Sequence, residues 1–340
     1  MNILKRLDWV KVLIWVVYPC VFFVGFIYTL STCCGCNEKK REETYLKEAG
    51  NTPVKKEFQM VTVPDGLKTS AERADYLVAH YWDHFDFGDT AYIHLPEVTE
   101  QAFADYVDIL PRAGKEKAYA SITAMLDRAV KEDAGGKVYP YFLSLYRHYL
   151  YDPNSPLRDE EYYIPVTEYL TTDIVSDMVA KERAKFDLSM MLKNRKGNIA
   201  ADIVYTFADG SSGNLQALKN EYTLLYFYDP DCPNCRETTA YLRESSLIND
   251  LLFTGKLDIL ALYTDSDNLL WRKHLQGMPL SWINGYDKEY AVRSKSLYDL
   301  KAIPNLYLLD KEKRILLKDA DAATVERHFE MLVARLSDLR

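Results

Sequence analysis

The stretch Tyr222–Cys235, YTLLYFYDPDCPNC, constrains this chain more than any other. From Tyr222 to Tyr228 the residues are apolar or aromatic apart from Thr223, which is the pattern of a strand covered on both faces. An Asp/Pro turn, Asp229-Pro230-Asp231, stops the strand and leads into Cys232-Pro233-Asn234-Cys235. Pro233 suits the first turn of a helix, where a missing N–H has no partner to lose. The chain must therefore bury this strand inside a layered α/β core and end it at two sulfurs on a helix N-terminus.

The other four of the six cysteines, Cys20, Cys33, Cys34 and Cys36, lie near the start of the chain. None falls between Cys36 and Cys232, so no disulfide framework braces the body, and the C-x-x-C is the pair available inside the folded region. The formal net charge of −8 argues against a nucleic-acid surface, which needs a dense Lys/Arg face. No repeat of solenoid period and no Pro-rich or Gly/Ser-rich tract is present.

Residues 1–36 read as a targeting segment. Lys5, Arg6 and Lys11 precede an apolar run from Val12 to about Leu30, giving a positive n-region and a long h-region. The run is also long enough to cross a bilayer, and the positive charge before it predicts a body facing away from the cytoplasm. Leu30-Ser31-Thr32-Cys33 resembles a lipoprotein signal, with Thr32 where a smaller residue is usual, which makes Cys33 a candidate for lipidation. A retained anchor and ordinary cleaved secretion are the alternatives. Cys33, Cys34 and Cys36 lack a fourth ligand for a zinc site. Residues 37–66, highly charged and broken by Gly50 and Pro53, read as a tether that cannot bury enough apolar surface to order itself.

Residues 67–195 read as an all-α domain. Thr69 or Ser70 is placed to cap a first helix carrying Ala74, Leu77, Val78 and Tyr81 at helical spacing. Thr99 is expected to cap a second, with Phe103, Tyr106, Val107 and Leu110 on one face and Pro111 past its end. Residues 116–131 give a third helix, broken at Gly135-Gly136, and Val138–Tyr151 an aromatic-rich fourth. Asp159 opens a fifth and residues 176–193 form a sixth. His80 and His84 share a helical face near His94, a spacing that can hold a metal. The third ligand is undefined and the Glu of a metalloprotease helix is missing, so solvated helix-end residues are the better reading and no metal is assigned. Asp152, Arg158, Asp159 and Glu160 read as loop and capping residues.

Residues 196–340 alternate strands and helices. Two short strands around a Gly-rich turn precede Tyr222–Tyr228. A helix from Arg236 to about Leu252 follows the cysteines. Leu257–Tyr263 is the next strand, then a helix near 268–276 and a short one within 290–298. Ala302–Leu309 and Arg314–Lys318 form a hairpin, and residues 322–336 a final amphipathic helix. A buried strand running into C-P-N-C at a helix start, with Ile303-Pro304 just before a later strand, resembles the thioredoxin superfamily, particularly the envelope thiol-disulfide oxidoreductases. Residues 67–195 resemble a helical domain of unknown function that precedes such modules in bacterial envelope proteins, most recognisably in YLYDPNSPLRDEEYYIPV.

The resemblance implies a mixed central sheet with helices on both faces, a redox-active Cys232–Cys235 pair in place of a bound cofactor, and a cis Pro304 facing Cys232. In that scheme Cys232 attacks, favoured by the free N–H groups and positive end of its helix; Cys235 resolves the mixed disulfide; and the Ile303 backbone pairs with the substrate. Partners would be protein thiols or disulfides and an upstream electron donor, with the membrane reached through the N-terminal segment. Three departures from the family pattern bear on tuning. Asp231 stands where Trp is usual and Asp229 lies two residues before it, so negative charge opposes a thiolate and favours a reductant or isomerase over an oxidase. Tyr226 replaces a buried acid, leaving proton transfer to water or another carboxylate. Asn305 follows the Pro where Thr is common. The competing reading, from another class, is a non-catalytic interaction protein of thioredoxin fold that acts through its helical domain.

Overall fold

The computed structural model describes residues 56–172 and 177–338. The expectations for residues 1–36, with Cys33, and for most of the tether lie outside the described residues. Among the described residues no helix is long and apolar enough to cross a membrane.

The first half of the body is helical. Helix α1 (Ser70–His80) begins with a reciprocal cap: Glu72 N donates to Thr69 Oγ1 at 3.1 Å, and Thr69 N donates to Glu72 Oε2 at 2.9 Å. Helix α2 (Pro96–Ile109) corrects the expected start at Thr99. Pro96 occupies its first turn and Leu95 its cap position, and Thr99 lies inside, buried, donating from Oγ1 to Tyr92 O at 2.8 Å. A proline with its φ already helical outcompetes a threonine cap.

Helix α3 (Lys115–Glu132) buries Ala118, Ile122, Met125, Leu126 and Ala129, one face at helical spacing. Helix α4 (Val138–Tyr146) widens into a π turn at Arg147–Tyr151. Helices α5 (Glu160–Thr171) and α6 (Met178–Met191) complete the region, each capped by an aspartate, Asp159 and Asp177. The core is aromatic, built around Trp82, Phe87, Phe103, Tyr106, Phe142 and Tyr146. Some buried hydroxyls find partners, as Tyr81 does on Ala102 O at 2.7 Å and Tyr106 on Ser121 Oγ at 2.8 Å, while those of Tyr119, Tyr139 and Tyr141 have none among the described residues.

The second half is a mixed sheet. Strands β1 (Val204–Thr206) and β2 (Ser212–Asn214) form a hairpin, and β3 (Tyr222–Tyr228) runs into helix α7 (Pro233–Glu244). Helix α8 (Ser246–Phe253) follows. The single helix expected over residues 236–252 is thus two, because Ser245 leaves helical geometry and caps α8 through Ile248 N. Strand β4 (Leu257–Tyr263), helix α9 (Asn268–His274), strand β5 (Ile283–Tyr286), helix α10 (Ala291–Ser294), the hairpin of β6 (Asn305–Leu309) and β7 (Ile315–Ala320), and helix α11 (Ala322–Asp338) complete the order.

The sheet order is β2-β1-β5-β4-β3-β6-β7. Strand β3 pairs in parallel with β4 and antiparallel with β6. Strand β5 has no counterpart in the sequence reading. Its four residues, INGY, carry no apolar run, and the parallel neighbour β4 recruits them.

Successive residues of β3 point to opposite faces, and both faces are covered. Leu224, Tyr226 and Tyr228 pack with Leu242 of α7, Ile248 of α8, Trp271 of α9 and Phe329 of α11. Leu225 and Phe227 pack with Ile203, Val292 of α10, Tyr298 and Tyr307. From Leu224 to Tyr228 no residue is more than 2% exposed. The helical region and the sheet belong to one compact unit, joined at Arg158, whose guanidinium lies 2.8 Å from Asp319 Oδ2 on β7.

Candidate active site

The central strand sets the site, because β3 delivers its C-terminal end, and with it the turn 229–231, to the rim of the sheet. Asp229 shapes that turn. Its Oδ1 accepts from Asp231 N at 2.8 Å and its backbone carbonyl accepts from Cys232 N at 3.2 Å. Cys232 then occupies the cap position of α7, with its sulfur accepting from Cys235 N at 3.2 Å. That hydrogen bond puts the first sulfur on the helix N-terminus, where backbone donors favour negative charge.

Cys232 is half-buried and Cys235 is buried at 2% exposure, both as free thiols. Burial, followed by the hydrogen bond with Cys232, pushes the Cys235 thiol up to about 12, so it is protonated at neutral pH. The inequality of the two sulfurs thus comes from position: one at the mouth of the helix, one a turn inside.

The Ile303-Pro304 bond is cis. Ile303 O lies 3.6 Å from Cys232 Sγ, so the loop expected to face the first sulfur does so. Behind it, buried Asn305 donates from Nδ2 to Asp319 Oδ1 at 2.7 Å. Tyr226 is fully buried beneath the motif, and its hydroxyl donates to Cys235 O at 2.7 Å with Thr239 Oγ1 at 3.1 Å. Burial holds its phenol firmly protonated. Tyr226 therefore ties the first turn of α7 to the strand through the Cys235 carbonyl and Thr239. Asp231 is exposed beside Cys232.

The structure brings in residues the sequence did not single out. His274, at the end of α9, lies against Tyr228 with ring centroids 5.6 Å apart. It lines a cavity of about 350 Å³ with Pro230, Asp231, Leu270 and Lys273. Burial lowers its basicity, and Asp229 opposes that shift. Nothing in its local sequence marks it.

Glu160 has a larger role than capping. Its Oε1 lies 2.6 Å from Lys301 Nζ and 3.0 Å from Arg158, and its Oε2 lies 2.8 Å from Lys318 Nζ. Arg158 in turn bridges to Asp319, which holds Asn305. His80, weighed as a metal ligand, has Nδ1 2.8 Å from Asp83 Oδ2 and packs on Tyr76. Asp152 and Asp159 cap local turns, accepting from Asn154 N at 2.8 Å and Glu161 N at 3.0 Å.

The chain is 44% identical to a thioredoxin-like protein from Bacteroides caccae of known crystal structure. The match covers 81% of this chain and 99% of that one, with a TM-score of 0.76. The chain belongs to the thioredoxin-like family. A family model described as thioredoxin-like matches residues 220–315, and one described as a domain of unknown function (DUF5106) matches residues 33–194. The C-terminal domain of an uncharacterized protein from Bacteroides fragilis is 44% identical over 40% of this chain and 96% of that one, with a TM-score of 0.39. The thioredoxin domain of a thiol-disulfide oxidoreductase from Bacteroides vulgatus is 25% identical over 39% of this chain and 97% of that one, with a TM-score of 0.35. No curated protein matches.

Proposed function

We propose that this thioredoxin-like protein exchanges thiols and disulfides with protein substrates, as a reductase or isomerase. The observation that carries the reading is the position of Cys232 Sγ, 3.2 Å from a helix N-terminal amide and 3.6 Å from Ile303 O beside the cis proline.

In the reductive direction, the Cys232 thiolate attacks one sulfur of a substrate disulfide. A mixed disulfide forms, and the other substrate sulfur leaves as a thiolate that takes up a proton. Cys235 gives up its proton to solvent and attacks Cys232 Sγ, which releases the second substrate sulfur. The substrate is then reduced by two electrons, and the Cys232–Cys235 pair is oxidised to a disulfide. An external dithiol donor must re-reduce it. In this scheme Ile303 and Pro304 position the substrate chain, Tyr226 fixes the first turn of α7, and Asp229 and Asp231 place negative charge beside the attacking sulfur, which disfavours the reduced pair and makes it a stronger reductant.

The same reading places the body outside the cytoplasm, tethered by the N-terminal segment with Cys33 as the lipidation site, and divides the described chain near residues 66 and 195. Lys5, Arg6, Lys11 and the apolar run support the tether.

The test is trapping. Cys235→Ser in the full chain is expected to accumulate mixed disulfides through Cys232 in a cell-envelope extract, all released by dithiothreitol. Neither trapped species nor insulin reduction by the unaltered protein is the outcome that removes the reading. Incorporation of labelled glycerolipid, lost in Cys33→Ala, tests the tether.

A further inference from the structure

A groove of about 430 Å³ opens beside the cis proline, and its two walls come from different halves of the chain. Thr238 of α7, Pro304, Asn305 and Thr324 of α11 line one side; Pro153 and Pro156 of the helical region line the other. The second wall is fixed in place. Ser155 Oγ donates to Tyr149 O at 2.6 Å, Asp159 N donates to Leu150 O at 3.1 Å, and Arg158 and Glu160 anchor the segment on Asp319, Lys301 and Lys318.

We propose that residues 153–160 of the helical region form the outer wall of the substrate site, and that the groove takes an extended polypeptide segment next to the cysteine that pairs with Cys232. The inference rests on the oxidoreductase reading and adds to it the substrate form and a role for the helical region. Ile303 O is 3.6 Å from Cys232 Sγ, and the next residue, Pro304, already lines the groove. A chain joined to Cys232 through its own sulfur is thereby led past Pro304 and between the walls.

The groove's chemistry suits a peptide backbone. Several of its lining charges answer one another, Arg158 with Glu160 and Asp319, and Lys318 with Glu160, and Asp159, Lys196 and Asp321 line it too. Asn305 is 4% exposed, its Nδ2 is taken by Asp319, and its Oδ1 has no hydrogen-bond partner. Such a buried acceptor is costly unless a donor reaches it, and a substrate N–H is a donor of the right kind. The volume falls in the range of enclosed binding sites. A rigid second wall shuts out a folded surface and admits an extended segment, whose recognition gains from walls already in place.

The test compares two disulfides on the full-length protein. Pro156→Trp fills the groove from the helical side and Thr324→Trp from the opposite side, and each variant is checked for unchanged thermal unfolding. The expected result is a fall of about tenfold or more in kcat/KM for insulin reduction. Reduction of hydroxyethyl disulfide, which needs the two cysteines but is too small to reach along the groove, stays within about twofold, as does the equilibrium with a dithiol buffer. Equal losses on both substrates, or no loss on either, overturn the wall. If the unaltered protein reduces neither disulfide, the oxidoreductase reading fails first and takes the inference with it.

Discussion

Glu160 and Lys301 lock the helical region to the loop that faces Cys232. Glu160 Oε1 and Lys301 Nζ are 2.6 Å apart, and Lys301 Nζ also sits 3.8 Å from the ring centroid of Tyr151. Lys301 lies two residues before Ile303. On the far side of Pro304, Asn305 is held through Asp319 by Arg158, a second residue of the helical region. Both ends of the cis-proline loop are therefore set by residues outside the sheet's own fold.

That arrangement makes Glu160 a stability determinant. The side chains of Glu160, Lys318, Arg158 and Lys301 are 9%, 9%, 14% and 16% exposed. Glu160→Gln keeps the shape but leaves Lys318 without its counter-charge, while Lys301 keeps Asp299 Oδ2 at 2.6 Å, and breaking a buried pair from one side costs about 3–5 kcal/mol. A lower midpoint in urea unfolding with an unchanged slope is the expected result.

The same carboxylate sets an acid limb. Burial raises the Glu160 carboxyl, but Lys318 and Lys301 more than offset that and hold it at about 2, against an ordinary value of 4.5. Its folded-state value lies below the unfolded one, so the stabilisation is present above pH 4.5 and is lost as pH falls toward 2. The amount is about 3 kcal/mol. Burial moves Asp319 the other way, so the Glu160 part is isolated by comparison. Unfolding free energy of the unaltered protein is expected to drop more steeply between pH 4.5 and 2 than that of Glu160→Gln; parallel acid limbs would contradict the assignment.

The sulfurs are expected to react unequally. With Cys235 at about 12, on the order of 10⁻⁴ of it is ionised at pH 8, and the thiolate is the reactive form. Brief treatment of the reduced protein with iodoacetamide should carboxamidomethylate Cys232 and leave Cys235 unmodified by peptide mass mapping. Cys232→Ser should then take up almost no label at Cys235. Comparable labelling of both would mean that Cys235 is more open than its 2% exposure.

Tyr226 supports structure rather than proton transfer. Its hydroxyl bonds to Cys235 O and Thr239. Tyr226→Phe removes that link at a cost of about 1 kcal/mol, with the reduction potential and the pH profile of insulin reduction unchanged. A shifted pH profile would show that the phenol acts on a sulfur.

Much of this was legible in the sequence because it rests on local rules. The apolar run Tyr222–Tyr228, Pro233 at a helix start and the late Ile303-Pro304 each carry their own signal, and the structure places all three together. Of the two caps the sequence offered for the first helix, Thr69 and Ser70, Thr69 is the one used. The misses have another physical origin. Strand β5 exists because β4 offers it a ladder, and Thr99 loses the cap to a competing proline. The Glu160 cluster joins residues far apart in sequence, so the helical region's contact with the cis-proline loop leaves no local trace. His274 is an ordinary helix-end residue until Tyr228 is folded against it.

The acidic approach to Cys232 should set the direction of the redox balance. Asp231 is exposed and adjacent to the attacking sulfur, while the Asp229 carboxylate is tied to Asp231 N at 2.8 Å. A neighbouring negative charge disfavours the thiolate and hence the reduced pair, but the same charge is screened by solvent and salt. Stabilising the reduced form makes a pair more oxidising, and 30 mV corresponds to about 1.4 kcal/mol for a two-electron couple. Asp231→Asn is therefore expected to raise the potential by about 10–20 mV at low ionic strength, with the difference shrinking at about 1 M salt. The unaltered protein should equilibrate with glutathione at or below about −200 mV, in the range of reductants. A potential near −120 mV would show that the helix N-terminus outweighs the aspartates and that the pair is poised as an oxidant, and a downward shift in Asp231→Asn would show that Asp231 does not disfavour the reduced pair.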